Sequence, residues 1–212
     1  MERRMVLAIY RLVFAAATVV AIVAQVQDLA ARGILNPVNF LSYFTIQSNL
    51  IAVAVFVIGA ARWRSEPTRR WELIRGGAVV YMTVTFVVFA LLLADTNVDT
   101  ALAWVNTVVH QVMPIAVIVD WLIDPPRNRI SFRDSLVWLV YPLAWTAYTL
   151  VRGPIAGWYP YPFLDPANGG YGTVALYVVA ILAFGTALCW LVSRVGSRLG
   201  PARGNGPTPA TA

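Results

Sequence analysis

Six long apolar stretches run along the chain, separated by shorter segments that hold most of its charged and turn-forming residues. They cover roughly residues 5–26, 38–61, 76–94, 101–123, 135–151 and 171–193. Each is about 17–25 residues long, the length that an α-helix needs to cross a bilayer. Since lipid offers the backbone no hydrogen-bond partners, all six stretches are predicted to be helical. The pattern therefore predicts an all-α, polytopic membrane domain over residues 1–193. Residues 194–212 are rich in Gly, Pro and Ala and are expected to form a disordered cytoplasmic tail.

The arginines predict how these helices are oriented. All 16 basic residues are arginine, and all but Arg32 and Arg152 fall on one side of the predicted spans. That side comprises the N-terminus, the second and fourth connections and the C-terminal tail. Because short cytoplasmic segments carry the excess of positive charge, both termini are predicted to be cytoplasmic. Asp120 and Asp124, at the cytoplasmic end of the fourth helix, are expected to face lipid headgroups.

The composition supports a membrane protein and excludes several kinds of chemistry. The chain is 59% hydrophobic and 12% charged, whereas soluble domains carry about 25% charged residues. The absence of lysine excludes a Schiff-base enzyme and a Walker A phosphate loop. One histidine and one cysteine cannot build an ordinary zinc site. We expect no metal, no organic cofactor and no nucleic-acid partner, because the arginines are spread between the apolar stretches.

The single histidine, His110, lies within the fourth apolar stretch. At 1.5 Å per residue it is roughly 12–14 Å below the outer boundary. Asn106 lies one turn earlier on the same face and is a candidate to orient the imidazole. Pro114 follows four residues later and should free the carbonyl of His110. The alternative is that His110 only forms a hydrogen bond to a neighbouring helix.

A polar stripe on the second helix matches His110 in depth. Ser42, Thr45 and Asn49 share one helical face, and Thr45 is about 10–12 Å deep. Such hydroxyls can simply satisfy their own helix carbonyls. Next to a neutral histidine, however, a hydroxyl can act as a nucleophile, and burial favours the neutral imidazole. Thr45 and Ser42 are thus both candidate nucleophiles with His110 as the base, and Asn49 or Gln47 could bind the oxyanion.

Three segments resemble the androgen-induced-gene family, which includes the androgen-dependent regulator of tissue factor pathway inhibitor. They are "FLS" at 40–42, "NTVVH" at 106–110 and "YPFLD" at 161–165. The chain is most similar to the compact prokaryotic six-helix branch. The resemblance implies an intramembrane hydrolase that cleaves esters of fatty acids with hydroxy fatty acids. It also implies a hydroxyl nucleophile on the second helix and His110 as its base. A gapless match puts Ser42 at the nucleophile position.

Together these features predict a lipid-ester hydrolase in the cell membrane, with a bacterial origin suggested by the resemblance. The "YPFLD" loop, with Tyr161 and Asp165, is expected to cover the pocket and contact substrate. Arg152 is expected to pair with Asp165 or with a substrate carboxylate. The alternative is a non-catalytic membrane protein that binds a small molecule or a lipid, or a transporter. No inverted repeat in the sequence supports a transporter.

Overall fold

Every regular element in the described part of the chain is helical. The computed structural model describes residues 1–93 and 102–200. In chain order the α-helices are α1 (Glu2–Ala31), α2 (Pro37–Ser42), α3 (Phe44–Ala61), α4 (Arg69–Val88), α5 (Ala103–Thr107), α6 (Met113–Ile123), α7 (Phe132–Ser135), α8 (Val140–Ala156) and α9 (Gly170–Leu199). The all-α prediction is thereby confirmed for the described residues.

Among the described residues, five helical stretches are long and apolar enough to cross a membrane. They are Glu2–Ala31, Phe44–Ala61, Arg69–Leu93, Ala103–Ile123 and Gly170–Leu199. The stretch predicted over 135–151 corresponds to a 3-10 turn, Leu136–Leu139, followed by the 17-residue α8. The predicted tail begins too early, because α9 continues through Leu199. Residues 201–212 of that tail lie outside the described residues, as do 94–101.

The helix predicted over 38–61 is in fact two helices with a break at Tyr43. Asn36 caps α2 by accepting a hydrogen bond from the Asn39 amide, and Pro37 occupies the first turn, where its missing N–H costs nothing. Tyr43 is extended, with φ −67° and ψ 128°, and α3 begins at the next residue. The break places Thr45 in the first turn of a new helix.

Two α-helices pass into π-helical turns that face one another. One turn, Phe89–Leu93, extends α4, and the other, Val108–Val112, joins α5 to α6. After the second turn the Met113 amide donates to the Val108 carbonyl, five residues back. Pro114, which has no N–H and crowds the preceding turn, follows immediately. Such π-turns occur frequently at functional sites.

The helices pack around α4, and their outer faces are apolar. α4 contacts α3, α6 and α9, while α1 runs along α3. Outward-facing residues of α1 and α9 include Val6, Val13, Leu176 and Val179, which are about 58–68% exposed. Faces of this extent are unfavourable in water and suit contact with lipid.

Four charged side chains, three of them buried, form a cluster where α1 begins and α6 ends. This end of the bundle is called the arginine-rich end below. Arg11 Nε lies 2.7 Å from Asp120 Oδ1, and Arg75 lies 2.8 Å from Asp120 Oδ2. Arg11 also contacts Asp124 at 2.6 Å. Asp120 is only 4% exposed, so the expectation that it faces headgroups is wrong. Its buried charge is matched by arginines from two other helices, as a buried carboxylate requires.

Candidate functional site

A cavity of about 490 Å³ lies at the end of the bundle opposite to the arginine-rich end. Its walls come from α1, from α2 and α3 around their break, from the two π-turns and from the segment 158–168. All three segments that carry the family resemblance contribute to it. Thr45, Asn106, His110, Tyr161 and Asp165 line this cavity.

Thr45, His110 and Tyr161 form a continuous hydrogen-bond network at the cavity wall. Thr45 Oγ1 lies 3.2 Å from His110 Nε2 and 3.1 Å from the Tyr161 hydroxyl oxygen. The Thr45 amide donates to the same tyrosine oxygen over 3.1 Å. His110 Nδ1 lies 3.1 Å from the Asn106 carbonyl oxygen.

These partners fix the direction of each hydrogen bond. A carbonyl can only accept, so His110 Nδ1 carries the proton, and in the neutral imidazole Nε2 then has a free lone pair. The Thr45 hydroxyl therefore donates to Nε2, and Tyr161 donates its own proton to Thr45 Oγ1. Burial raises the pKa of Tyr161 to about 12, so the phenol stays protonated at neutral pH. The arrangement is that of a hydroxyl nucleophile with a base already aligned.

The local backbone explains why these side chains meet. The break at Tyr43 puts Thr45 in the first turn of α3, where amides lack helical acceptors and the helix dipole is positive. The Phe89 ring, from the other π-turn, stacks on the His110 imidazole with centroids 4.0 Å apart and planes 18° apart. This stacking holds the imidazole on the side facing Thr45. Nothing in the sequence pattern singles out Phe89, which is one aromatic residue among many in the apolar stretches.

Ser42, the other candidate nucleophile, does not meet His110. Its hydroxyl donates to the Val38 carbonyl over 2.6 Å and lies 2.9 Å from the Tyr148 hydroxyl. The break after Ser42 turns its side chain away from the face that carries Thr45. The predicted common face of Ser42 and Thr45 was wrong, because it assumed an unbroken helix.

Asn49 and Gln47, whose side chains were predicted to bind the oxyanion, form hydrogen bonds to other groups. Asn49 Nδ2 donates to the Thr45 carbonyl over 2.8 Å and to the Val109 carbonyl over 3.0 Å. Both of its donor hydrogens are therefore occupied, and Asn49 instead ties α3 to the π-turn. Gln47 donates to the Leu41 carbonyl and accepts from the Tyr141 hydroxyl. The oxyanion role predicted for both residues is not supported by these contacts.

Asn106, Arg152 and Asp165 form contacts that differ from the predicted ones. Asn106 lines the cavity, but its backbone carbonyl, rather than its side chain, orients His110. Arg152 donates to Asn39 Oδ1 over 2.6 Å and stacks on Trp158. Asp165 accepts from the Ala167 amide, so the predicted Arg152–Asp165 pair is not formed.

Comparison of the chain with known proteins finds no matching family model, curated protein or solved structure. The resemblance to the androgen-induced-gene family therefore rests on the three quoted segments and stays a prediction.

Proposed function

We propose that the protein is an intramembrane hydrolase of lipid esters, with Thr45 as nucleophile and His110 as general base. One observation carries the proposal: a buried threonine hydroxyl lies 3.2 Å from the only imidazole of the chain. The other ring nitrogen is held by a backbone carbonyl, which is how a catalytic base is kept in one tautomer. The proposal includes membership of the androgen-induced-gene family, whose members the three segments resemble.

The reaction proceeds in two steps through an acyl-enzyme. Thr45 Oγ1 attacks the ester carbonyl carbon while its proton passes to His110 Nε2. The tetrahedral intermediate collapses, the ester C–O bond breaks, and the alcohol leaves with the proton from Nε2. A water molecule then attacks the acyl-threonine and gives its proton to Nε2. Collapse of the second intermediate returns that proton to Thr45 and releases a fatty acid. The Asn106 carbonyl stabilises the imidazolium that forms in each step.

Tyr161 and the start of α3 stabilise the negative charge that develops. Tyr161 already donates to Thr45 Oγ1, so it supports the oxygen as that atom loses its proton. Once Oγ1 is bonded to carbon, the phenol proton is free to turn to the neighbouring oxyanion. The positive end of the α3 dipole points at the same place. Tyr161 thus takes the role first expected of Asn49 and Gln47.

The proposed setting is a six-span membrane domain with both termini in the cytoplasm. The arginine distribution supports this orientation, and α8 supplies the sixth span next to the five longer ones. The site then lies in the outer half of the bilayer, below the loop 157–169. A lipid ester can reach it laterally from the membrane, while water enters from the loop end of the cavity.

Turnover by purified variants in detergent tests the proposal. We expect Thr45→Ala and His110→Ala to lose hydrolysis of fatty acid esters of hydroxy fatty acids and of shorter fluorogenic esters. Ser42→Ala is the matched control and should keep most of the activity, because its hydroxyl contacts Tyr148 instead of His110. Equal turnover in the wild type and in His110→Ala would favour the alternative, a non-catalytic lipid-binding protein.

A further inference from the structure

A second, narrower cavity adjoins Thr45 on the side away from the large one. It lies between α4, α8 and α9 and has a volume of about 80 Å³. Four residues, Thr45, Phe89, Leu93 and Tyr161, line both cavities. The two spaces therefore meet at the proposed nucleophile.

This apolar slot, as it is called below, has a closed inner end. Most of its walls are aliphatic or aromatic side chains. Val80, Leu139 and Gly185 line it at the end farthest from the loop 157–169. There α9 and the 3-10 turn before α8 come close together, since a Cβ on Gly185 would lie 3.3 Å from Leu139 Cδ2. The slot is thus closed at this end, whereas Leu143 and Leu182, which are 46% and 36% exposed, leave it open to lipid along its side between α8 and α9.

We propose that the apolar slot holds the acyl chain of the ester and that its closed inner end limits this chain to a medium length. This inference rests on the proposed function. The aliphatic walls of the slot favour burial of methylene groups. The acyl carbon becomes bonded to Thr45 Oγ1, at the place where slot and cavity meet.

The larger cavity suits the alcohol half of the ester. It is six times as large as the slot, at about 490 Å³ against about 80 Å³. Its walls include the polar residues Asn36, Asn39, Asn106 and Asp165. The alcohol must leave and water must enter while the acyl group stays on Thr45. Of the two described spaces, the cavity under the loop 157–169 has the polar walls that suit both water and a leaving alcohol, so the acyl group is assigned to the slot.

The dimensions of the slot give the chain length. Along α9 its lining runs from Val178 to Gly185, and along α8 from Leu139 to Thr146. Seven residues of helix span roughly 10 Å. An extended alkyl chain advances about 1.25 Å per carbon, given C–C bonds of about 1.52 Å and angles near 111°. The lining of the slot is therefore as long as about eight extended carbons. Because the enclosed space of about 80 Å³ is smaller than such a chain, part of the chain lies along the side that is open to lipid.

Chain-length profiles of hydrolysis test this assignment. Esters of one alcohol with acyl chains from four to sixteen carbons are compared, and the wild type should prefer chains near eight. Gly185→Leu fills the closed end and should move the optimum to shorter chains by several carbons. Leu139→Ala opens that end and should move it to longer ones. Ala183→Leu adds the same bulk to an exposed position of α9 and should leave the profile unchanged. Identical profiles in all four proteins would overturn the assignment.

A binding measurement separates this inference from the proposed function. An eight-carbon fatty acid with a diazirine at its methyl end is photo-crosslinked to the wild type in detergent, and the modified peptides are mapped by mass spectrometry. We expect modification near Leu139 and Gly185, and its loss in Gly185→Leu. If no ester is hydrolysed but this labelling occurs, the proposed function fails and the slot stands. Labelling confined to segment 158–168 would show that the chain lies elsewhere, whether or not esters are hydrolysed.

Discussion

Replacing Asp120 with Asn should destabilise the protein strongly without touching the proposed site. The carboxylate receives three charged hydrogen bonds, at 2.7 and 3.2 Å from Arg11 and 2.8 Å from Arg75. Both arginines are at most 7% exposed, so neither can regain water when the charge is lost. Removing one partner of a buried ion pair costs about 3–5 kcal/mol. Asp124, which is partly exposed, remains beside both arginines in this variant. We therefore expect a loss at the lower end of that range, about 3 kcal/mol in the free energy of unfolding.

Denaturant unfolding in detergent measures this loss, which is about a hundredfold in the ratio of folded to unfolded protein. Glu66→Gln is the control, because Glu66 pairs with Arg4 and Arg127 at an exposed position and should change stability little. If Asp120→Asn and Glu66→Gln had equally small effects, the buried charge cluster would not hold α1, α4 and α6 together as argued.

The same cluster gives the direction of a pH effect. Burial alone would raise the pKa of Asp124, but Arg75 and Arg11 hold that pKa below its ordinary value. A lowered folded-state pKa means that the contribution of Asp124 is complete above the unfolded value of about 3.9. It is lost only as the pH falls through the lower folded value. Stability should therefore fall on strong acidification, and Asp124→Asn should flatten that part of the profile. A wild-type decline that begins near neutral pH would require a different titrating group.

Three further outcomes are expected. Tyr161→Phe should keep the fold but slow ester turnover about a hundredfold, because one donor to the developing charge is lost; unchanged kcat would remove Tyr161 from the mechanism. Gly153→Ala should destabilise the protein by about 1–3 kcal/mol in thermal unfolding, since its Cβ would lie 2.0 Å from the Tyr159 ring; an unchanged melting temperature would show that this ring moves freely. Reporter fusions at Ser65 and Asn128 should read cytoplasmic, and an external signal at either would reverse the proposed orientation.

Counting residues along the helices predicted that Thr45 and His110 lie at a similar depth, but it did not predict the break that separates Ser42 from them. A rise of 1.5 Å per residue placed Thr45 and His110 at similar depth, and their polar atoms indeed lie 3.2 Å apart. The exclusion of Ser42 could not be predicted, because the break at Tyr43 has no Pro or Gly to mark it. Distant side chains satisfy the backbone groups at the break: Trp145 Nε1 donates to the Ser42 carbonyl, and Tyr161 accepts from the Thr45 amide. Such tertiary contacts leave no pattern in the local sequence.

The surroundings of Asp120 and the end of α9 were likewise predicted only in part from the sequence. The placement of Asp120 near a helix end suggested headgroup contact, but the arginines that neutralise it come from α1 and α4. Only the packing of three helices brings these charges together. The composition of the tail after 194 suggested disorder. The segment from Arg194 to Leu199 nevertheless continues α9, and a basic residue in a last turn, here Arg198, interacts favourably with the helix dipole.

Covalent labelling tests whether Thr45 is a nucleophile that His110 activates. The wild-type protein in detergent is treated with a fluorophosphonate probe, and the modified residue is identified by peptide mass spectrometry. We expect a phosphonyl adduct on Thr45 that persists in Ser42→Ala and is lost in both Thr45→Ala and His110→Ala. An adduct on Ser42, or labelling of Thr45 that is undiminished in His110→Ala, would contradict a threonine nucleophile activated by His110.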